Sequence, residues 1–417
     1  MVKTRAQRIK RMSVVDALCI RSQISVKSAR YCKTVSKHLA KLQLAESGKN
    51  SSLVVCPSMG KTMKLYSMDA KRCKLSLLST IDPSQRTPEV FMYMISSYNG
   101  IICCVNMIYD EDVENKFCDL QIWICNPITK ETLLLPQGTP SFEFEPSIGV
   151  AYGSDVSDYK VYRIFCTGKI IPEERGPAEG FYVQEGRFFT KYGHSLAYEC
   201  EVYSSSTGSW KNIGTVPCLP MSCSLRPYRR TGHIFVGGKV YWLVSLDAPG
   251  KILSVDLEGK FEVINLPAYA DGLREDEQIT EASHLINLKG SLGLLVLHPE
   301  NMDVWVWKHD GERYSWVFQF KDVVPIKDDE LILAVTALDN KIICVNETHW
   351  RIYDMETEKW KRRKSPRTGF RNPVVLPFTE SVLPCKYCLY ICMDTMFFSF
   401  VCFLIHVICL LNQVTAV

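Results

Sequence analysis

The amino-acid sequence predicts a mainly β protein: a β-propeller-like domain of six blades, with seven left open, preceded by a small α-helical segment. Six stretches share one layout, in which a short apolar or aromatic strand is followed by a turn residue and often by another bulky residue. Most of them lie about 50 residues apart, which is the signature of a structural repeat. A second element, a turn immediately before an apolar strand, recurs beside them. Hairpins repeated in this way are typical of a propeller, which hides the edges of its sheets by radial repetition.

The first element is clearest at residues 202–210 and 352–360, where an aliphatic residue, a tyrosine and a polar residue precede a turn and a tryptophan. Weaker copies lie at 65–67, 122–129, 253–256 and 304–316. The interval between residues 124 and 203 is too long for one blade. We therefore expect the region from Tyr152 to Val161 to supply a strand within it.

The second element occupies residues 98–101, 237–240, 289–292 and 339–342. The last three copies begin 50 to 52 residues apart. Their Asn-Gly and Gly-Gly pairs tolerate the positive φ angles that tight hairpin turns need. We predict a hairpin at each of these positions.

The N-terminal part of the chain is strongly basic. The 417 residues carry a formal net charge of +4, but residues 1–41 hold eleven Lys or Arg and one acid, so this part is +10 and the remainder is −6. A basic N-terminal segment of this kind could bind nucleic acid, bind an acidic partner or form the solvated face of a helix. We treat residues 1–11 as a separate basic segment and expect no nucleic-acid partner.

Residues 12–45 lack the strand pattern and carry apolar residues at roughly helical spacings. Ser13 and Ser25 stand at positions where they could cap helices. We predict two or three short helices here, followed by a polar linker over residues 46–52.

The β pattern extends over residues 53–378, where short runs of Val, Ile, Tyr, Phe and Trp alternate with turn residues. Residues 168–191 interrupt the rhythm and contain two prolines in a charged stretch. We predict a long loop between strands there. Such a loop could shape a binding face or be a tolerated insertion.

Residues 379–417 form a hydrophobic C-terminal tail. Within it, residues 395–411 have His406 as their one strongly polar member. This segment is slightly shorter than the roughly 20 apolar residues that span a bilayer. A membrane segment and an aberrant gene end are both open explanations of the tail.

The eighteen cysteines are scattered, mostly in apolar strand-like runs such as residues 102–104 and 343–345. The N-terminus is charged and lacks the apolar stretch of a secretory signal. We therefore expect reduced, buried cysteines and a location in the nucleus or the cytoplasm, with membrane association possible through the tail.

Motifs that would carry catalysis or hold a metal are incomplete. The Gly-Lys-Thr run at residues 60–62 lacks the glycine that a phosphate-binding loop needs at position 55, where Val stands. Cys385 and Cys388 form a lone pair, whereas a structural zinc site takes four ligands. The eight histidines are isolated from one another. We predict no catalytic residue, no cofactor and no metal site.

The run Lys-Trp-Lys-Arg-Arg-Lys at residues 359–364 could be a nuclear import signal or a phosphate-binding patch. Its tryptophan belongs to the repeat pattern, however. We therefore predict that the run is the charged outer edge of a sheet.

The N-terminal segment resembles an F-box. The usual F-box pattern opens with Leu-Pro, has a central Ile, continues with Leu-Pro-Val-Lys-Ser and ends with Val-Ser/Cys-Lys-Ser-Trp. Residues 12–39 align with this pattern without a gap. Ser13 and Ser25 replace the two prolines, and Leu39 stands at the tryptophan position. Arg21 stands where an apolar residue is expected, so this F-box is degenerate.

Downstream, residues 60–365 are similar to the plant F-box-associated domain, which is kelch-like. The matching pieces, in order, are 97–103, 125–131 with 135–136, 149–161, 202–210, 240–243, 252–257 and 302–306. Their order and spacing together carry the resemblance. The tail after about residue 380 matches nothing in that family.

The resemblance implies a non-catalytic substrate-recognition subunit of a Skp–cullin–F-box ubiquitin ligase. The F-box helices would bind a Skp-family adaptor and through it a cullin, and the propeller would hold a target protein. The residues assigned to adaptor binding are Met12, Leu18, Ile20, Ile24, Val26, Lys27, Val35, Lys37, Leu39 and Leu42. Several of these could instead form only the F-box's own core.

Two other interpretations stay open. The chain could be a propeller interaction module whose F-box no longer binds the adaptor. It could also be a propeller that is anchored in a membrane through residues 395–411.

Overall fold

A computed structural model describes the part of the chain that forms one compact unit within residues 47–387. The described residues are 52–56, 62–69, 74–81, 92–108, 117–142, 145–153, 158–171, 195–218, 220, 233–244, 250–267, 283–298, 301–324, 332–346, 348–365, 373–381 and 385. The predicted helices of residues 12–45, the ten adaptor-binding residues from Met12 to Leu42 and the segment 395–411 lie outside them.

The described residues form 25 strands in six antiparallel sheets. Each sheet has four strands in its main path, and one of them carries a short fifth strand. One strand of every sheet lines a common central cavity. The prediction of a β-propeller is therefore confirmed, and the number of blades is six.

The first three blades contain the first twelve strands and the last strand of the chain, and the strands of each blade are given from the cavity outward. Blade 1 consists of β25 (Val374–Phe378), β1 (Ser52–Cys56), β2 (Met63–Asp69) and β3 (Lys74–Ile81). Blade 2 consists of β4 (Met92–Tyr98), β5 (Ile101–Ile108), β6 (Phe117–Asn126) and β7 (Glu131–Leu134), with β8 (Ser141–Phe142) beside β6. Blade 3 consists of β9 (Ser147–Tyr152), β10 (Tyr159–Ile171), β11 (Ser195–Ser204) and β12 (Ser209–Val216).

The remaining blades follow the same plan. Blade 4 consists of β13 (Ile234–Val236), β14 (Lys239–Leu243), β15 (Lys251–Asp256) and β16 (Phe261–Asn265). Blade 5 consists of β17 (Ser283–Leu288), β18 (Ser291–Leu297), β19 (Asn301–His309) and β20 (Tyr314–Val323). Blade 6 consists of β21 (Ala334–Leu338), β22 (Lys341–Val345), β23 (His349–Asp354) and β24 (Lys359–Lys364).

The ring is closed by pairing the two ends of the propeller. The innermost strands contact their neighbours in the order β25, β4, β9, β13, β17, β21 and back to β25. Blade 1 takes its innermost strand from the C-terminal end, because β25 pairs with β1 in the register Ser52↔Phe378 to Cys56↔Val374. The Ser52 hydroxyl also donates to the Phe378 carbonyl at 3.0 Å.

The repeated sequence element corresponds to the third and fourth strands of each blade. All six copies fall on third strands, namely β2, β6, β11, β15, β19 and β23. In blades 3 and 6 the tyrosine and the tryptophan of the element are directly opposite each other, Tyr203 with Trp210 and Tyr353 with Trp360. Their ring centroids are 5.5 and 5.1 Å apart. The repeat is thus a cross-strand aromatic pair, the kind of contact that stabilises an antiparallel sheet.

The turn element joins the first and second strands, as predicted. Asn99 and Gly100 adopt φ angles of 48° and 77°, and Lys289 and Gly290 adopt 53° and 83°. The region from Tyr152 to Val161 supplies strands β9 and β10 of blade 3, which accounts for the long interval between copies two and three. The predicted loop at 168–191 begins too early, because residues 168–171 continue β10. Ile170 and Ile171 pair with β11 beyond a register shift between Cys166 and Ile170.

Apolar clusters fill the spaces between neighbouring blades, for example Val54, Met63 and Cys104 between blades 1 and 2. Cysteines contribute to these cores: of the nine whose burial the structure describes, eight are buried, Cys218 is half-buried and all are free thiols. The expectation of buried, free cysteines is confirmed for eight of these nine, and Cys218 is free but only half-buried. Burial raises the pKa of the Cys344 thiol to about 12, so this thiol stays protonated and behaves as an apolar side chain.

Candidate binding surfaces of the propeller

The two faces of the propeller carry connections of different length. Because successive strands are antiparallel, the turns between strands one and two and between strands three and four of a blade share one face. These turns are short, as at 237–238 and 355–358. The strand ends on the opposite face are joined through longer stretches of sequence, which include residues 172–194, 217–233 and 268–282. Most of these long connections lie outside the described residues, so the described binding surfaces belong to the strands and the short turns.

The central cavity has a volume of about 160 Å³ and is bounded by all six innermost strands. An aromatic cluster occupies its wall near the short-turn face. The rings of Tyr98 and Tyr152 are stacked with centroids 4.3 Å apart, and Phe235 meets each of them at 5.6 Å. These three residues come from blades 2, 3 and 4, so the cluster joins three blades around the cavity.

His233 places an uncharged imidazole in the same wall. The Val150 amide donates to its Nε2 at 3.0 Å, which puts the ring proton on Nδ1. The Nδ1 atom is buried and has no hydrogen-bond partner among the described residues. Burial lowers the pKa of His233 to about 4, and the nearby Ile148 backbone offsets only part of that shift. The ring therefore carries no charge at neutral pH.

A buried ion cluster ties blade 3 to blade 2. Arg163 on β10 is fully buried and contacts Asp119 of β6 at 2.5 Å and Glu201 of β11 at 2.9 Å. Glu201 also accepts hydrogen bonds from the amide and the hydroxyl of Thr139, each at 2.9 Å. A side chain at Gly138 would overlap Glu201, so only glycine fits at this point of the connection between the blades. Mutual pairing of buried charges in this way identifies the cluster as structural.

An aromatic groove lies on the outer rim, between β16 of blade 4 and blade 5. It has a volume of about 580 Å³ and is lined by Trp305, Trp307 and Trp316 together with residues 263–267. Trp307 and Trp316 are paired across β19 and β20, with ring centroids 5.1 Å apart. The Trp316 indole donates to the Asn265 carbonyl at 2.8 Å, which joins blade 5 to blade 4 at the floor of the groove.

Exposed apolar side chains border this groove. Tyr314 is 59% exposed, Phe318 is 47% exposed and Val263 is 43% exposed. Phe318 packs edge-on against Trp305 at 5.0 Å. Contiguous exposed apolar surface with aromatic rings is characteristic of protein interaction sites, because such side chains gain most from leaving water. The groove is therefore suited to hold an apolar segment of another protein.

The sequence pattern locates the groove's tryptophans but not the groove. Trp305 and Trp316 belong to the repeat copy at 304–316, which predicts strand residues of a single blade. The sequence of β20 is rich in aromatic residues, but it does not show that Tyr314, Phe318 and Val323 are exposed. His233, Arg163 and Glu201 have no comparable signal in the sequence.

Other kinds of site find no support in the described part of the chain. Among the described residues no group of three or more His, Cys, Asp and Glu could hold a metal ion. No helix in the described ranges is long and apolar enough to cross a membrane. His298, isolated in the sequence, is paired with Asp303 at 2.9 Å inside blade 5.

The run at residues 359–364 is the outermost strand of blade 6, so the prediction of a charged outer edge is confirmed. Ser381 and Cys385, which follow β25, also contact the propeller: Asn126 donates to the Ser381 carbonyl and Tyr159 to the Cys385 carbonyl.

Comparison with known proteins gives a consistent picture. The sequence model of the family of F-box associated β-propeller domains matches residues 51–370 of this chain. F-box protein CPR1 of Arabidopsis thaliana is 25% identical over 348 residues, which cover 78% of this chain and 75% of that protein. F-box protein At5g07610 of the same plant is 25% identical over 243 residues, which cover 56% of this chain and 50% of that protein.

Proposed function

Since the chain belongs to the family of F-box associated β-propeller domains, we propose that it is the substrate-recognition subunit of a Skp–cullin–F-box ubiquitin ligase. The observation that carries the proposal is the order of two parts along one chain: an F-box-like segment at residues 12–39, then a propeller that the family model matches over 51–370. The two curated relatives bear the name F-box protein, which supports the same assignment.

In this role the chain breaks no bond. The F-box residues from Met12 to Leu42 bind a Skp-family adaptor, which joins a cullin, while the propeller holds the target protein. Target lysines are then confined near the ubiquitin-conjugating enzyme, and their effective concentration rises without any catalytic group in this chain. The protein would act in the nucleus or the cytoplasm.

The aromatic groove between blades 4 and 5 supports target binding best among the described surfaces. Its exposed rim residues Tyr314 and Phe318 are large aromatic side chains, the type that dominates the energetics of protein interfaces. The buried ion cluster and the central cavity are less accessible to another protein.

Adaptor capture tests the proposal. The full chain, immobilised through an affinity tag, should retain a Skp-family adaptor at moderate salt. A variant with Val26→Asp and Leu39→Asp should lose it, because charges would enter the predicted apolar docking face. Lys41→Gln, near this face but outside the assigned set, is the control and should bind as the unmodified chain does.

Target capture provides the second half of the test. Proteins that accumulate on the full chain when the proteasome is blocked should still be bound by the variant that lacks residues 1–45, since the propeller would be intact. Full-length chain that folds but retains no adaptor would contradict the ligase role. Retained target capture with no adaptor would then favour the alternative, an interaction module with a non-functional F-box.

A further inference from the structure

Strand β24 of blade 6 concentrates positive charge on one edge of the propeller. Its sequence is Lys-Trp-Lys-Arg-Arg-Lys, and every residue except Trp360 is exposed. The outermost strands of the other five blades, β3, β7, β12, β16 and β20, carry at most one Lys or Arg each. The charge is therefore a property of this edge and not of the rim in general.

The cations of β24 point to both sides of the sheet. Trp360 lies opposite Tyr353 and packs into the apolar cluster between blades 5 and 6. Because side chains alternate along a strand, Arg362 and Lys364 share the side of Trp360, while Lys361 and Arg363 face the other way. Arg351 of β23 lies directly opposite Arg362 but is fully buried, so the exposed positive charge of this edge comes from β24 itself.

Four of the five cations of β24 form no ion pair among the described residues, although Asp354 of β23 is near enough to Lys361 to interact with it electrostatically. Among the described residues, no acid lies within ion-pair distance of Lys359, Lys361, Arg363 or Lys364, whereas Lys341 in the same blade is paired with Asp354 at 3.6 Å. A ligand that covers this edge would have to bring the negative charge itself.

The backbone of β24 is also available on one side. It pairs with β23 from Lys364 to Lys359, and no described strand pairs with its outer side. An edge strand presents a row of backbone donors and acceptors, to which an extended peptide can add as a further strand. The strand contains no proline that would interrupt such pairing.

We infer that β24 binds an extended acidic segment of the target protein, which adds to blade 6 as a fifth strand. The inference rests on the proposed function for the identity of the partner as a target. Backbone hydrogen bonds would hold the segment along the edge. Because cations project to both faces of the sheet, the bound segment would carry Asp or Glu at consecutive positions and not only at alternate ones.

Other uses of the edge fit the structure less well. A nuclear import receptor would have to read residues 359–364 as free chain, but they are paired along their whole length with β23. Single-stranded nucleic acid binds on exposed aromatic platforms, whereas Trp360 is packed against Tyr353 at 5.1 Å. Lysines also protect sheet edges from aggregation, and that role requires no ligand.

The test measures binding of fluorescent octapeptides to the full-length chain by anisotropy. The probes are an all-glutamate peptide, an all-glutamine peptide and a peptide in which glutamate alternates with proline. We expect the first to bind, the second to bind weakly because it lacks charge, and the third to bind weakly because proline removes the backbone donors. A single-stranded DNA octamer is the fourth probe and should bind no better than the alternating peptide.

A fourfold variant tests the site itself. Changing Lys361, Arg362, Arg363 and Lys364 to Gln should weaken binding of the all-glutamate peptide by about fourfold or more, because each of the four exposed ion pairs contributes on the order of 1.4- to 5-fold. The control changes Lys74, Lys211, Lys251 and Lys308 to Gln, all exposed and on other strands. It alters the net charge equally and should leave binding within about twofold.

The outcomes are distinct. Equal weakening by both variants, equal binding of the two glutamate peptides, or preference for DNA would overturn the inference. So would unchanged peptide binding together with aggregation of the fourfold variant, since the lysines would then only protect the edge. Adaptor capture separates the two proposals. The fourfold variant should retain the adaptor as well as the unmodified chain does. If the unmodified chain itself retains no adaptor, that result counts against the ligase role and leaves the peptide-binding inference untouched.

Discussion

At the scale of single residues, the joint between blades 2 and 3 depends on one buried cation. Arg163 is enclosed with Asp119 and Glu201, whose side chains are 9% and 7% exposed. Two carboxylates so far from water are tolerable only while the guanidinium stays between them. A buried ion cluster adds little net stability as a whole, but the loss of one member is costly.

We therefore predict that Arg163→Met lowers the free energy of unfolding by roughly 3–5 kcal/mol. Unfolding in denaturant, followed by tryptophan fluorescence, measures the change. Lys211→Met on the exposed strand β12 is the matched control, and surface changes of this kind stay within about 0.5 kcal/mol. A loss no larger than that of the control would show that water reaches the cluster.

His233 makes stability depend on pH. Its pKa is about 4 in the folded protein, against about 6.5 in an unfolded chain, so below pH 6.5 the unfolded state binds the additional proton. Stability is therefore complete above pH 6.5 and falls as the pH is lowered towards 4. At pH 5.0 the loss from this residue amounts to about 2 kcal/mol.

His233→Gln should reduce this pH dependence, because glutamine can still accept from the Val150 amide and does not titrate. The free energies of unfolding of both proteins at pH 7.5 and 5.0 provide the measurement. The unmodified chain should lose about 2 kcal/mol more than the variant over this interval. Identical losses would mean that other groups account for the acid sensitivity.

At the scale of elements, two turns of the same type sit in different surroundings. Gly100 and Gly290 each end a two-residue turn between the first and second strands of a blade, with φ angles of 77° and 83°. A side chain at Gly290 would meet nothing within 4 Å, whereas one at Gly100 would overlap Ser381. The difference arises because residues after β25 pack onto the turn in blade 2.

The two glycines therefore form a matched pair. Gly290→Ala should destabilise the propeller by about 1–2 kcal/mol, the cost of a left-handed conformation for a residue with a Cβ. Gly100→Ala should cost at least about 1 kcal/mol more, since the backbone of Ser381 must also move. Thermal unfolding of both variants provides the comparison, and equal shifts would show that Ser381 is loosely held.

Elements were predictable where their signals are local. The third strands were recognisable because Tyr203 and Tyr353 stand opposite Trp210 and Trp360 only a few residues away. The turns were recognisable because few residues tolerate positive φ. β25 lacked such a signal, since its partner β1 lies more than 300 positions earlier in the chain and the pairing leaves no local trace.

The binding surfaces were less predictable than the fold for the same reason. The groove arises where Trp316 of one blade meets Asn265 of another, and a repeat pattern shows what each blade contains but not what two blades enclose. The charged edge was the exception, because all its residues are consecutive. The residues from Met12 to Leu42 stay a prediction from resemblance.

At the scale of the whole molecule, ring closure controls stability. Every blade is held by two neighbours, and blade 1 keeps its innermost strand only while β25 is present. A chain that ends at residue 372 would expose the open edge of β1 and remove the contact between β21 and β4 that β25 provides. Open edges of this kind promote aggregation.

We predict that the chain ending at residue 372 loses cooperative unfolding and aggregates. A chain ending at residue 387 keeps β25 and Cys385 and should unfold like the full-length protein, because the compact unit ends there. Circular dichroism melts and size-exclusion chromatography distinguish the two. Cooperative melting of the shorter chain would mean that the ring tolerates the loss of its closing strand.

The pairing of β1 with β25 also means that blade 1 cannot be completed until the ribosome has synthesised most of the chain. From Ser52 to Val374 the chain grows by 374 − 52 = 322 residues. At about 5–20 residues per second, the first blade therefore waits roughly 16–64 s for its last strand. During that interval the apolar residues Leu53, Val54 and Val55 lack the strand that later covers them. We expect chaperones to be engaged at this stage, so the supply of finished protein should depend on the speed of translation as well as on the stability of the closed ring.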